Sequence, residues 1–217
     1  RYEHADAEMV GALLDEAARF MEQEVAPLNR LGDQEGVRQE GDQIFHPEGF
    51  SDAYSKFVDA GWNGVAFGEE FGGGGMPWVV GLAVQEMMTS ASMAFSLCPL
   101  LTQGAIDAIT HHASETLRET YLPKMITGEW SGTMNLTEPE AGSDVGALAT
   151  KAEPVDDGSW LIRGTKIFIT YGEHELTENI VHLVLARTPS APPGTKGISL
   201  FIVPKYLVND DGSLGER

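Results

Sequence analysis

Residues Met134–Asp144 read MNLTEPEAGSD, which sets two hydroxyls and a glycine close behind an apolar run. As local structure, this is a strand that meets a proline turn and ends on a Ser/Asp cap. As chemistry, Thr137 and Ser143 offer hydroxyls and main-chain N–H groups to a planar polar ligand, and Gly142 lets the backbone come close to it. The residues alone leave both readings open. Further along, Lys166–Thr170 reads KIFIT, a β-branched and aromatic string that predicts a strand. On a strand, Phe168 and Thr170 stand two apart and face the same way. An aromatic face beside a hydroxyl suits a flat heteroaromatic ring.

Other reactive-looking groups carry less. Gly72–Gly75 is a four-glycine run, but it lacks the Gly-Lys-Ser/Thr ending of a phosphate loop and follows no strand, so it reads as a flexible connection between helices. No GxGxxG follows a strand, which leaves a Rossmann dinucleotide site unsupported. His111 and Glu115 can share a helix face beside His112, yet two ligands do not make a metal site. His174 reads as a loop residue rather than a base, and chain spacing reveals no Ser/His/Asp triad. Cys98 is the only cysteine, which rules out an intrachain disulfide and a cysteine-based zinc site and fits a reducing cytoplasm. Its neighbours Leu97, Pro99 and Leu100 predict a buried, inert thiol. Lys plus Arg total 14 against 33 Asp plus Glu, a net charge of −19. That balance argues against nucleic acid as the main partner and, less strongly, against an anionic membrane surface. A small anionic cofactor needs only a few local donors and stays compatible. The stretch RYEHADAEMV shows no signal pattern, and no uninterrupted apolar run approaches the ~20 residues of a membrane span.

The elements that position these groups change character once along the 217 residues. Apolar residues from Ala7 to Leu28 form a one-sided stripe, the mark of an amphipathic helix, which Pro27 and LGDQEG are expected to end. Pro47 to Ala60 reads as a second helix closed by Gly61. Pro77 opens a segment to Cys98 that is apolar all round and is expected in a core. Its methionines at 87, 88 and 93 read as core filler, or else as the lining of a pocket for a variable apolar chain. Shorter helices follow over Leu101–His112 and Ser114–Thr127. From about Gly128 the grammar is β. Glu129–Leu136, Ala149–Glu153, Trp160–Arg163, Ile180–Arg187 and Ile198–Pro204 read as strands, with turn signals at Asp156-Asp157-Gly158 and in TPSAPPGTKG. The expected organisation is α+β, with a helical domain over 1–129 and a β domain, sandwich- or barrel-like, over 130–217.

MNLTEPEAGSDVGALATKAE followed by WLIRGTKIFITYG closely resembles the acyl-CoA dehydrogenase family. Thr137–Asp144 stands for that family's TEPxAGSD motif and Gly164–Thr170 for its G-x-K-x-[WF]-I-T motif. EEFGGGGM resembles its Glu-Glu-aromatic-Gly-Gly loop, and Tyr121–Met125 its helix just before the β domain. The YGEHELTENIVHLVLART and KYLVNDDGSLGER stretches look most like the larger bacterial branch, which includes enzymes acting on 3-methylthiopropanoyl-CoA.

The resemblance implies a non-covalent FAD that takes a hydride from the β-carbon of an acyl-CoA while a carboxylate removes the α-proton. The product is a trans-2-enoyl-CoA, and electrons pass to an electron-transferring flavoprotein, as in the β-oxidation of fatty acids. It implies cofactor contacts at Met134, Leu136, Thr137, Ser143, Phe168 and Thr170, with Ser143 also near CoA. Met93, Phe95, Leu97 and Leu101 become candidates for the acyl pocket. The family's general base lies on a later helical domain and is expected beyond residue 217. The chain thus reads as an N-terminal fragment, expected to be inactive alone, of a cytoplasmic homodimer or homotetramer. Two other readings compete: an acyl-CoA oxidase of the same fold, and a flavin- or acyl-binding module without catalysis.

Overall fold

The computed structural model describes residues 2–217. Helix α1 (Ala7–Phe20) starts at Asp6, whose carboxylate accepts the Met9 N–H at 2.8 Å. A π turn, Met21–Val25, leads into α2 (Ala26–Glu35). Pro27 therefore does not stop the helix at Leu28. It occupies the first turn of α2, where a missing N–H leaves nothing unsatisfied, and the wider π turn beside it keeps the helical path running to Glu35. A hairpin that the sequence reading missed follows, β1 (Arg38–Glu40) against β2 (Gln43–Phe45), turning at Gly41 with φ +61°. Helix α3 (Phe50–Asp59) begins later than Pro47, after Gly49 at φ +92°.

The expected apolar helix from Pro77 to Cys98 is two helices, α4 (Trp78–Ala91) and α5 (Met93–His112). Ser92 is extended and caps α5 by accepting the Phe95 N–H at 3.3 Å. α5 also absorbs the separately expected Leu101–His112 helix, with Pro99 inside it. By length and composition α5 could pass for a membrane span. Here Phe95, Cys98, Thr102, Ala105, Ile106 and Ile109 turn inward, so it is a core helix. Its apolar neighbours are not all buried: Val79, Leu82 and Met93 are exposed. Phe50, Tyr54, Phe57 and Phe95 form an aromatic cluster with ring centroids 5.9–6.3 Å apart. Each such ring, fully removed from water, contributes roughly 1.5–3 kcal/mol.

The glycine run is not a slack linker. Gly73, Gly74 and Gly75 donate their N–H groups to the carbonyls of Gly68, Gly64 and Phe67. A Cβ on Gly73 would lie 2.3 Å from the Phe67 carbonyl oxygen, so only glycine fits that approach.

Helix α6 (Glu115–Thr127), capped by Ser114, ends at Gly128 with φ +93°. The β layer then comprises β3 (Trp130–Asn135), β4 (Lys151–Pro154), β5 (Trp160–Arg163), β6 (Asn179–Ala186) and β7 (Ser199–Pro204). β6 is central, parallel to β3 and antiparallel to β7, while β4 and β5 form a separate hairpin. β6 is buried along most of its length, as its apolar run predicts, whereas Ser199 and Leu200 at the start of β7 are exposed. The two layers meet where α5 and α6 cross β3. Gly132 donates its N–H to the Thr102 hydroxyl at 3.0 Å, and a Cβ there would meet Ala105 Cβ at 2.6 Å.

Candidate functional site

The turn after β3 closes on itself. Glu138 and Ala141 exchange both main-chain hydrogen bonds at 3.1 Å, leaving Pro139 and Glu140 as the exposed tip. Glu138 points back inside, 6% exposed. Its carboxylate accepts the N–H of Ala149 at 2.6 Å, the N–H of Thr150 at 3.1 Å, the Thr150 hydroxyl, and the Lys166 ammonium at 2.7 Å. Burial pushes this carboxyl upward, but Lys166, the Thr150 hydroxyl and the two main-chain donors outweigh it and pull it down to about 2. Lys166 also donates to the Leu136 carbonyl at 3.1 Å. The turn and KIFIT are thereby tied through a buried ion pair that the motif reading gave no role.

KIFIT itself is not a strand. The Ile167 N–H donates to the Thr137 carbonyl at 3.0 Å, so the segment crosses the turn as a strap instead of entering a ladder. Phe168 sits at φ +57°, a region that aromatic side chains seldom adopt, and its ring is 89% exposed. Tyr171, at φ +52°, is a second outlier three residues further along the same strap. Backbone strain of this kind persists only where the surroundings enforce it, and it gathers at ligand sites.

The sequence-derived candidates divide accordingly. Leu136 and Thr137, half-buried, lie under the strap that carries Phe168 and Thr170. Met134 is 39% exposed at the end of β3, and Ser143 is exposed in the bend that follows the turn. Arg187 fastens that bend's far side, donating to the carbonyls of Leu148 at 3.0 Å, Gly194 at 2.9 Å, and Gly146. Thr170 and Leu97 line one cleft of about 430 Å³ together with Ala94, Ile169, His46 and Tyr171. Phe95, by contrast, is 1% exposed in the aromatic core and does not line it. Met93 lies on the outside, and Leu101 is half-buried. A further cavity of about 440 Å³ lies apart from these groups, between α4, α5 and residues 62–67.

Two groups beside the strap, His46 and Glu175, escaped the sequence reading. His46 donates its main-chain N–H to Glu175 Oε1 at 2.8 Å and sets its ring Nδ1 3.1 Å from Oε2. Burial raises the Glu175 carboxyl, but these His46 contacts prevail and hold it below its usual value. His174 does lie in a loop, but it is 1% exposed, with Nε2 3.0 Å from the Ser131 hydroxyl. Burial, reinforced by the nearby charge of His46, lowers it to about 3, so it stays neutral. Cys98 is buried as expected, and that burial raises its thiol to about 12. No group of three or more acidic, histidine or cysteine side chains gathers into a metal site among the described residues.

The arrangement can therefore do one thing well. It presents an aromatic face and several hydroxyls, on a rigidly anchored strap and turn, beside an apolar cleft. The donor set fits a flat polar ring such as a flavin, and Phe168, 89% exposed, leaves a ring face open to it.

Comparison with known proteins agrees. The family description "Acyl-CoA dehydrogenase, N-terminal domain" matches residues 8–129, and "Acyl-CoA dehydrogenase, middle domain" matches residues 133–213. The chain is 52% identical over 216 residues to a 3-methylmercaptopropionyl-CoA dehydrogenase of Ruegeria pomeroyi, covering 100% of this chain and 37% of that protein. It is 45% identical to a butyryl-CoA dehydrogenase of Syntrophomonas wolfei, covering 95% and 34%. A chain in the solved structure of the electron transferring flavoprotein of Acidaminococcus fermentans superposes with a TM-score of 0.76 at 27% identity, covering 92% and 48%. The fold is also that of a Bacillus anthracis acyl-CoA dehydrogenase complexed with FAD, with a TM-score of 0.73 at 23% identity over 94% and 32%. The chain spans about a third of the length of the curated relatives it matches. With both family domains matched in order along nearly all its residues, and with their two motifs folded against each other, this chain belongs to the acyl-CoA dehydrogenase family.

Proposed function

We propose that this chain forms the flavin-facing and acyl-facing wall of a FAD-dependent dehydrogenase that desaturates an acyl-CoA between its α and β carbons. The observation that carries the reading is the strap. Phe168 stands exposed at a strained φ, pinned beside Thr137 by the Ile167 N–H to Thr137 carbonyl bond. When bound, the flavin supplies the hydride acceptor for the β-carbon. Phe168 would lie against one face of the ring. Thr137, Thr170 and Ser143 would offer hydroxyl and N–H donors to its polar edge, where fixed donors favour the charge that builds on reduction. Leu136 and Met134 would bound the ring on the β3 side. Leu97, with Ala94 on the same helix, would form the apolar side for the acyl chain.

Glu138 is not the group that takes the α-proton. A buried carboxylate held to about 2 by four donors is a poor base at neutral pH. Similarity to the 3-methylmercaptopropionyl-CoA and butyryl-CoA enzymes favours a short acyl group, with a thioether acyl as the first choice. The reading extends to an electron-transferring flavoprotein as acceptor, a cytoplasmic setting and a homo-oligomer. The test is expression of the complete coding frame that contains this chain. The expected result is a yellow protein with flavin absorbance, which reduces an electron-transferring flavoprotein with short acyl-CoAs and yields enoyl-CoA. A colourless protein refutes the reading, and peroxide production in place of acceptor reduction turns it into an oxidase.

A further inference from the structure

The strap is held at both ends, and the second anchor lies in the helical layer. At its first end, Lys166 and the Ile167 N–H fasten it to the turn. At its far end the Tyr171 hydroxyl donates to the Ala94 carbonyl at 2.7 Å, in the first turn of α5. The Tyr171 ring lies nearly parallel to the His46 imidazole, with centroids 5.3 Å apart and an 11° interplanar angle. On its other side His46 stacks on Phe50 of the aromatic core at 5.4 Å and 26°. Glu175 fixes the imidazole in that stack through the main-chain and Nδ1 contacts. Because a carboxylate only accepts, Nδ1 is the nitrogen that carries a proton toward it. Phe50, His46 and Tyr171 thus form one column that runs from the core to the residue after Thr170.

The geometry points to His46, Tyr171 and Glu175 as positioning residues: they lock the strap to α3 and α5, and so hold Phe168 and Thr170 in register with both the ring site and the acyl cleft. Three observations converge on this. Phe168 and Tyr171 both have positive φ, so the strap's conformation is not one it would keep by local preference. The ring of Phe168 is 89% exposed, so burial does not hold it in place. The cleft shared by Thr170 and Leu97 is walled by His46, Tyr171 and Ala94, so the device that fixes the strap also shapes the pocket. The part of the inference that concerns the flavin rests on the function proposed above. The part that concerns the strap does not.

Two amides report on the lock without any cofactor, since Ile167 donates to Thr137 and Gly172 donates to Ile169. Hydrogen exchange at these amides is to be compared in the unsubstituted chain and in Tyr171→Phe, His46→Ala and His46→Asn. Tyr171→Phe keeps the stack and loses one hydrogen bond, which speeds exchange about fivefold. His46→Ala also removes the stack and the donor to Glu175, for a rise of about tenfold or more. His46→Asn restores a side-chain N–H near the Nδ1 position and brings part of the protection back. If His46→Ala does not fold, Tyr171→Phe and His46→Asn decide alone. Unchanged exchange in Tyr171→Phe overturns the lock. In the complete coding frame, FAD titration should then show Kd raised about fivefold in Tyr171→Phe, with a displaced visible flavin band, in step with the loosened strap. A loosened strap with unaltered Kd and spectrum overturns the flavin part of the inference. Failure of the unsubstituted protein to bind FAD at all instead overturns the proposed function, and the flavin part with it.

Discussion

Replacing Glu138 by Gln removes one charge from a buried site while keeping its shape, and the structure gives the size of the effect. The carboxyl moves from a usual 4.5 to about 2 on folding. At about 1.4 kcal/mol for each pH unit, that displacement is worth roughly 3 kcal/mol of folding stability at pH 7. With Glu138 only 6% exposed, solvent screening takes little from this figure. Glutamine also turns an N–H₂ toward donors and leaves Lys166, itself 9% exposed, without its counter-charge. The sign follows from a depressed acid. The stabilisation is fully present above about pH 4.5 and is lost as pH falls toward 2. Urea unfolding of the chain and of Glu138→Gln should therefore give a gap of roughly 3 kcal/mol at pH 7 that shrinks to about half by pH 3. Parallel stabilities across that range would show that Glu138 is not ionised against Lys166 in the folded chain, and the account of the turn-to-strap tie would fall.

Phe168→Ala should leave the urea midpoint within about 0.5 kcal/mol, because an exposed ring packs on little, while weakening FAD binding severalfold in titration. Gly132→Ala drives a methyl to 2.6 Å from Ala105 Cβ and 2.9 Å from Met125 Cε, where the layers meet, and should destabilise the chain by about 1–3 kcal/mol in the same assay. His174, held to about 3 by burial first and by His46 second, refuses a proton that the unfolded chain accepts near pH 6.5. Its contribution to stability therefore falls by roughly 2 kcal/mol between pH 6.5 and pH 5, and His174→Gln should lower stability at pH 7 but flatten that acid slope.

Much of the fold follows from neighbours along the chain. The IVHLVLAR run is apolar without interruption and becomes the buried central strand β6, because only a strand covered on both sides can use it. Gly61 and Gly128 stop their helices at positive φ, as their lack of a side chain allows. Cys98 among apolar residues is buried, and the two motifs announced that the turn and KIFIT belong together. Other features were beyond local reading. KIFIT has the composition of a strand, but its Ile167 N–H is taken by Thr137 and its Lys166 by Glu138, so no ladder forms and Phe168 is forced to φ +57°. The Pro77–Cys98 segment is apolar throughout, yet Ser92 breaks it, and Val79, Leu82 and Met93 are left exposed. Pro27 stops no helix once a π turn relieves it. The column of Phe50, His46 and Tyr171 joins residues more than a hundred positions apart. Propensity and periodicity act over a few residues, and they choose the elements. Which hydrogen-bond partner wins, and which apolar face is covered, depends on groups brought together only by the packed chain, and those choices shape the site.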